Sequence, residues 1–296
     1  MSELSTGHVA LLGATGRLGR ALQRALGPCV GLSRGGLPAD SLLRHVIGAA
    51  SEPAALAAAL QGAHAVVHLC AFDAAAAHAA VAAARALGLA DVPLIFASAL
   101  AERHRAAWLE PEDADIPADP ADAYGCGKHA ARVAFERGWP GPVLSLRLPQ
   151  LCAWDDPLCR ERTYVDAAQG SGVAWLPGSG EQRPAVVPTT AVAALVAAWL
   201  SAGPSTSARL AVAHPAPQPL RLLVEALLEG AGLAPRTAPH PDRGWRGPHS
   251  ASDERVASGA ALAWLPASHW PDLAPWHREL GHRLAGLQLP LPHARP

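Results

Sequence analysis

Short apolar runs alternate with segments of helical periodicity through the first half of the chain. The runs at residues 8–12, 29–32, 45–47, 65–70, 93–97 and 143–148 predict strands. Segments 18–26, 53–60, 74–87 and 123–137 place apolar residues at helical spacing and predict helices. This alternation indicates an α/β fold built on a doubly wound parallel sheet.

The pattern changes after Pro149. Residues 150–190 show few periodic elements and contain many Gly, Pro and Trp residues. Beyond them we predict helices at 190–201, 220–230 and 253–263, with Thr189 or Thr190 as the N-cap of the first. Residues 209–213 are predicted to return a strand to the sheet, 235–250 to form a loop, and the final segment to be a packed or partly loose tail.

Composition narrows the class of protein. The chain has 296 residues, of which 50% are hydrophobic and 17% charged, which suits a folded chain with a large core. The formal net charge of −1 provides no basic field, so we expect no nucleic-acid partner. The polar N-terminus lacks a signal-peptide pattern, and the apolar stretch 191–200 is about half a bilayer span, so we expect no membrane association.

Cysteine usage points to a reduced, cytoplasmic protein. The five cysteines, Cys29, Cys70, Cys126, Cys152 and Cys159, are odd in number and include no C-x-x-C pair. The histidines show no metal-ligand spacing either, so we predict no metal site.

A glycine-rich turn, G-A-T-G-R-L-G, follows the first predicted strand directly and opens a helix. Glycine is needed where the backbone bends and where a pyrophosphate approaches too closely for a Cβ, while the helix N-terminus holds the anion. We therefore predict dinucleotide binding by the residues of this turn, namely Gly13, Thr15, Gly16, Arg17, Leu18 and Gly19.

Ser33 and Arg34 end the second strand, where the adenosine ribose lies in such a fold. An acidic residue there would hold the ribose hydroxyls, whereas arginine suits a 2′-phosphate. The pair favours NADP as cofactor, with NAD as the alternative.

Tyr124 and Lys128 are four residues apart on a predicted helix, so they share a face. Of the 24 Lys and Arg residues only Lys128 is lysine, and Tyr124 is one of only two tyrosines, which makes a chance match improbable. Tyrosine needs its pKa lowered by about three units to act as a base near pH 7, and an adjacent cation supplies part of that shift. The spacing favours a catalytic pair.

Several motifs in this order resemble those of the extended short-chain dehydrogenases/reductases, the NAD-dependent epimerase/dehydratase family. They are the glycine turn, V-V-H-L-C-A at 66–71, P-L-I-F-A-S-A at 93–99, Y-G-C-G-K at 124–128, L-R-L-P at 146–149, L-P-G-S-G-E-Q-R at 176–183 and L-A-W-L-P at 262–266. Together they cover most of the chain and mark it as a divergent relative.

The resemblance implies a Rossmann-type dinucleotide-binding domain at 1–149 and a smaller C-terminal, mainly substrate-binding region at 150–296, with 190–213 returning to the first sheet. Tyr124 would be the acid/base on the substrate hydroxyl or carbonyl, and Lys128 would bind the nicotinamide ribose and lower the tyrosine pKa. Leu69, Cys70 and Ala71 would lie along the cofactor, and Arg183 would grip a substrate phosphate. A homodimer through the Tyr124 helix also follows from the resemblance.

The chain departs from the family pattern at the reacting oxygen. The family places Ser or Thr after the fifth strand to hydrogen-bond that oxygen, whereas here Ala99 aligns with that position and Ser98 precedes it. Either Ser98 serves, or the substrate supplies its own hydrogen bond, or the contact is lost. The family's acidic residue after the third strand is also missing, with Gly48 and Ala49 near that position.

These residues favour an oxidoreductase that transfers hydride between nicotinamide and a hydroxyl or carbonyl carbon of a small molecule. Two alternatives stay open. One is a nucleotide-sugar epimerase or dehydratase, and the other is a non-catalytic NADP-binding sensor or scaffold, for which Ala99 is the motive.

Overall fold

The computed structural model describes residues 7–35, 44–110, 116–154, 160–240, 249 and 253–286. Its strands are β1 His8–Leu12, β2 Cys29–Ser33, β3 Arg44–Ile47, β4 Ala63–His68, β5 Leu94–Ala99, β6 Val143–Leu148, β7 Gln150–Cys152, β8 Ala174–Leu176, β9 Val186–Pro188, β10 Ala208–Ala211 and β11 Thr237–Pro239. Its α-helices are α1 Arg17–Leu26, α2 Pro53–Leu60, α3 Ala74–Ala86, α4 Ala123–Gly138, α5 Arg162–Ser171, α6 Thr189–Ser201, α7 Leu220–Gly230, α8 Gly259–Leu262 and α9 Leu273–Gly286.

The chain separates into two compact units. The first comprises residues up to Leu151 together with Val187–Ala213 and Val256–Pro266. The second comprises Cys152–Val186, His214–Arg255 and Ala267 onwards.

A seven-stranded parallel sheet forms the centre of the first unit, in the order β10-β6-β5-β4-β1-β2-β3. The order reverses at β1, because β1 pairs with both β2 and β4. The predicted α/β class with a doubly wound parallel sheet is therefore confirmed. In such a sheet, ligands bind at the carboxyl ends of the strands beside this reversal.

The central strands are short and apolar because both sheet faces are covered. All residues of β2, β5 and β6 are buried. On one face, a cluster that includes Leu12, Phe96 and Phe135 packs under α2, α3 and α4. Asp122 begins α4, because its carboxylate accepts a hydrogen bond from the amide of Gly125 at 2.9 Å.

The second unit packs α5, α7 and α9 around its own core, beside a parallel pair formed by β8 and β11. Tyr164 and Val165 from α5, Leu223 from α7 and Trp276 from α9 are buried in this core.

Four expectations about elements were wrong. Residues 150–190 hold a helix, α5, and three short strands. The helix expected at 253–263 covers only Gly259–Leu262, and α9 occupies part of the chain expected to be a tail. The N-cap of α6 is Pro188 rather than either threonine, and no side chain caps that helix end.

Candidate active site

A cavity of about 790 Å³ lies along the carboxyl ends of the strands in the first unit. It is lined by the glycine turn, by the ends of β2, β4, β5 and β6, and by two side chains of α4. Most predicted site residues line it, namely Gly13, Thr15, Gly16, Arg17, Leu18, Gly19, Ser33, Arg34, Leu69, Cys70, Ser98, Ala99, Tyr124 and Lys128.

The glycine turn has a backbone that residues with a Cβ do not readily adopt. Gly13 has φ +94°, which side chains with a Cβ rarely adopt. A Cβ on Gly19 would lie 2.5 Å from the carbonyl oxygen of Ala14, so only glycine allows α1 to start this close to the turn. Among the side chains that the structure describes, none caps the N-terminus of α1, so its amides and dipole could hold an anion.

Arg17 joins the glycine turn to the segment after β6. Its Nη1 donates a hydrogen bond to the carbonyl oxygen of Leu151 at 3.0 Å, and both residues line the cavity. The guanidinium of the first residue of α1 is thus fixed at the cavity wall.

The end of β2 combines an exposed guanidinium with a constrained hydroxyl. Arg34 is exposed at the edge of the cavity. The Ser33 hydroxyl donates to the carbonyl of Gly35 at 2.7 Å and lies 2.8 Å from Nε2 of His45. Since Ser33 has one proton, His45 is the donor to Ser33 in this arrangement. His45 gave no signal in the sequence, because its contact comes from the β2–β3 pairing.

Lys128 is almost fully buried beneath the cavity surface. Its ammonium donates to the carbonyl oxygens of Ala71 and Ala97, each at 2.9 Å. It also lies 4.7 Å from the ring centroid of Phe72 and 5.2 Å from that of Phe96. Burial lowers the pKa of Lys128 to about 8, while the charges of Cys70 and Glu102 oppose that shift.

Tyr124 lies one turn before Lys128 on α4, and half of its side chain is exposed. Its ring centroid is 6.4 Å from that of Phe72. Phe72 was not predicted as a site residue, although it directly follows the V-V-H-L-C-A motif. Its ring is 55% exposed at the cavity and contacts both members of the predicted catalytic pair.

Ser98 lines the cavity, but its hydroxyl is engaged by a residue that does not. The hydroxyl donates to Oε2 of Glu102, a fully buried carboxylate that also pairs with Arg132 and Arg147. Ala99 lies beside Ser98 and lines the same cavity. Glu102 gave no sequence signal, because its partners come from α4 and β6.

Two predicted site residues lie elsewhere. The side chain of Ala71 is fully buried, and the residue meets the site through its carbonyl bond to Lys128. Arg183 belongs to the second unit, where it is exposed and donates to the carbonyl of Pro217 at 3.4 Å.

His68 lies behind the cavity, against Phe135 at a centroid distance of 5.4 Å. Burial and the charge of Lys128 lower its pKa to about 3, so the ring is neutral. Among the described residues, none donates to or accepts from either ring nitrogen.

The described ranges contain no group of three or more His, Cys, Asp and Glu side chains arranged to hold a metal ion. Cys159 lies outside them. Within the same ranges, no helix has both the length and the apolar character needed to cross a bilayer.

No protein-family model matches the sequence, and a comparison with curated proteins found no match. Solved structures match over nearly the whole chain. UDP-N-acetylglucosamine 4-epimerase from Bacillus cereus is 15% identical, with 96% of this chain and 99% of that chain covered at a TM-score of 0.74. MoeE5 in complex with UDP-glucuronic acid and NAD is 22% identical, with coverages of 94% and 100% and a TM-score of 0.73.

A short-chain dehydrogenase/reductase superfamily protein from Agrobacterium tumefaciens with bound NAD is 17% identical, with coverages of 94% and 97% and a TM-score of 0.71. At these identities the likeness establishes the fold. The chain therefore has the same fold as these solved proteins, which include a UDP-N-acetylglucosamine 4-epimerase and a short-chain dehydrogenase/reductase superfamily protein.

Proposed function

We propose that the chain is an NAD(P)-dependent oxidoreductase of the epimerase/dehydratase type, a divergent extended short-chain dehydrogenase/reductase. The observation that carries the proposal is that one cavity is lined by the glycine turn, by Tyr124 and by the chain's only lysine, Lys128. The first unit would hold the cofactor, and the second would contribute to substrate binding, with Arg183 as its candidate phosphate contact.

The bound nicotinamide would accept or donate hydride at the substrate carbon. The amides of the glycine turn and the α1 N-terminus would hold the pyrophosphate, and Arg17 would supply a positive charge at the same cavity. Tyr124 exchanges the proton with the substrate oxygen. The ammonium of Lys128 favours the phenolate form of Tyr124 electrostatically and is itself held by two carbonyls, so its position is fixed.

For the cofactor, we propose a preference for NADP over NAD. Arg34 is exposed at the cavity edge, where it could pair with a 2′-phosphate. To donate to the phosphate, the Ser33 hydroxyl would give up its hydrogen bond to the carbonyl of Gly35. The charge-assisted bond from Arg34 to the phosphate is stronger than this lost neutral bond. Two of the three solved structures named above contain NAD, and NAD remains the alternative for this chain.

A nucleotide-sugar epimerase or dehydratase is the second candidate. It is favoured by the solved structures, which include a UDP-N-acetylglucosamine epimerase and a protein bound to UDP-glucuronic acid. A third candidate, a dinucleotide-binding sensor without turnover, is favoured by Ala99 and by the orientation of the Ser98 proton.

We also propose that two copies associate through α3 and α4. A groove of about 570 Å³ runs between these helices and is lined by alanines, Val81, Val133 and several basic side chains. Light scattering coupled to size-exclusion chromatography should give the mass of a dimer, and a monomeric mass at high concentration would refute this association.

The test of function compares the two tyrosines. Wild type, Tyr124→Phe and Tyr164→Phe are assayed with NADP(H) and NAD(H) on a panel of alcohols, ketones and nucleotide sugars. Tyr124→Phe should lose turnover by about 10²–10⁴-fold and still bind cofactor. Tyr164, whose hydroxyl lies 2.8 Å from Nδ1 of His249 in the second unit, is the matched control and should retain turnover.

The outcomes of this test separate the candidates. Turnover on nucleotide sugars alone would favour the epimerase or dehydratase. Cofactor binding without turnover on any substrate would favour the sensor. Absence of dinucleotide binding would overturn all three.

A further inference from the structure

We propose that Glu102 is a positioning residue that fixes the Ser98 hydroxyl as a hydrogen-bond acceptor towards the cavity, so that the site binds the alcohol form of its substrate more tightly than the carbonyl form. The inference rests on the proposed oxidoreductase function and deepens it, because it names the oxidation state of the substrate that the free site selects.

The two oxygens of Glu102 have different partners. Oε1 pairs with Nε of Arg132 at 3.0 Å and accepts from Nε of Arg147. Oε2 accepts the proton of the Ser98 hydroxyl. The side chains of Glu102, Arg132 and Arg147 are completely buried. Water therefore does not replace Glu102 as the acceptor of the Ser98 proton.

The two guanidinium groups keep Glu102 in place as an acceptor. Arg132 also pairs with Glu136 at 2.6 Å, and Glu136 pairs with Arg209 at 2.8 Å. The charges therefore alternate from Glu102 to the partly exposed Arg209. A carboxylate held by two cations has only acceptor capacity to offer Ser98.

A serine hydroxyl has one proton and two lone pairs. Since Glu102 takes the proton, any contact that the Ser98 oxygen makes with a group in the cavity must be one in which it accepts. Ala99 supplies no polar group beside it. Tyr124 is then the donor left for the reacting oxygen.

This arrangement discriminates between the two forms of a substrate. An alcohol can accept from Tyr124 and donate its own proton to Ser98, which completes a chain of hydrogen bonds ending on Glu102. A carbonyl oxygen can accept from Tyr124, but its other lone pair would face a lone pair of Ser98. Turning the Ser98 proton towards the carbonyl would break a charge-assisted bond to Glu102, so the alcohol should bind about tenfold to a hundredfold more tightly.

The variant Glu102→Gln should reverse this preference. The glutamine carbonyl takes the place of Oε1 between the two arginines, because placing the amide nitrogen there would set donor against donor. The amide nitrogen then replaces Oε2 and donates to Ser98. Ser98 must accept from the glutamine, and its proton becomes available to a carbonyl in the cavity.

The matched control is Glu136→Gln, which removes a carboxylate from the same network without touching Ser98. Ser98→Ala, which changes no charge, keeps the test decisive if Glu102→Gln does not fold. Binding is measured in complexes that cannot react, with the alcohol titrated in the presence of NADPH and the ketone in the presence of NADP⁺. The probe is the pair with the highest turnover in a panel that includes cyclohexanol and cyclohexanone.

Wild type and Glu136→Gln should bind the alcohol at least about tenfold more tightly than the ketone. Ser98→Ala should bring the two affinities within about threefold, and Glu102→Gln should favour the ketone. Equal affinities in wild type, or an unchanged preference in Ser98→Ala, would overturn the proposal.

A second measurement needs neither substrate nor cofactor. A buried hydroxyl proton shared with a carboxylate should give a slowly exchanging, downfield proton NMR signal in wild type and in Glu136→Gln. The signal should disappear in Ser98→Ala. Its absence from wild type would overturn the assignment of Ser98, whereas its presence in a protein without turnover would overturn the proposed function alone.

Discussion

At the scale of a single residue, Lys128 is notable for its rarity in the sequence, for its burial and for the contacts of its ammonium. It is the only lysine among 24 Lys and Arg residues, in a chain that otherwise uses arginine for positive charge. Its ammonium fits between two backbone carbonyls and beside two aromatic rings. A compact ammonium fills this space, whereas a planar guanidinium with a wider fork does not.

We therefore predict that Lys128→Arg folds but loses at least about 99% of turnover, because the larger head group displaces Phe72 or the carbonyls that hold the site. Overpacking should also cost about 1–3 kcal/mol of stability in a urea titration. Arg137→Lys, an exposed exchange on the same helix, is the control and should change neither quantity. Normal turnover by Lys128→Arg would make the lone lysine an accident of composition.

The pKa of Lys128 has a consequence for stability. Its value of about 8 in the folded chain lies below the ordinary 10.5, so between these values the unfolded chain binds more protons. The free energy of unfolding should rise with pH across this window through Lys128. Subtracting the pH profile of Lys128→Met from that of wild type isolates the effect, and a flat difference would contradict the depressed pKa.

The placement of Tyr124, Lys128 and the glycine turn along one cavity could be predicted, because it depends on local spacing. Tyr124 and Lys128 are one helical turn apart, and the turn glycines are consecutive with β1 and α1. Glu102 and His45 could not be predicted, because Glu102 meets Arg147 across 45 residues and His45 reaches Ser33 from a neighbouring strand. Those contacts exist only after the sheet has assembled.

At the scale of the elements, the sequence predicted the ends of a helix well where its apolar periodicity is strong. The helix predicted at 53–60 is α2, Pro53–Leu60, where proline suits the first turn. Helix α9 was missed although Leu273, Trp276, Leu280 and Leu284 form a buried stripe at helical spacing. The charged residues of α9 and Pro275 lie between these apolar positions and made the helical spacing difficult to recognise in the sequence. The strands β8 and β9 have three residues each, too few for any period to appear.

The strand β4 ends at His68, a polar residue whose burial costs free energy. His68 is fully buried and neutral, with two polar nitrogens among apolar neighbours. We predict that His68→Leu, a change of similar volume, raises the free energy of unfolding by about 1–2 kcal/mol, because it removes buried polar atoms without hydrogen bonds. Urea denaturation provides the measurement.

The control is His8→Leu on β1, since Nε2 of His8 lies 3.1 Å from the carbonyl oxygen of Ala59 and should cost stability when lost. If His68→Leu were as destabilising as His8→Leu, His68 would have a role in holding the site that its contacts do not reveal.

At the scale of the whole molecule, the doubly wound class followed from the alternation of strands and helices. The sequence placed the glycine turn, the β2 end and the Tyr124 helix along one sheet edge, since the carboxyl ends of parallel strands share an edge. The architecture of the second unit was largely missed, because its helices and short strands carry weak patterns.

The central claim is that the cavity of the first unit binds a nicotinamide dinucleotide. A fluorescence titration of the full chain with NADPH and NADH tests it most directly. We predict saturable binding of one nucleotide per chain, tighter for NADPH. Arg34→Ala should weaken NADPH about tenfold or more and leave NADH nearly unchanged, because only the 2′-phosphate contacts that guanidinium. An equal effect on both nucleotides would contradict the role of Arg34, and the absence of saturable binding of either would contradict the claim itself.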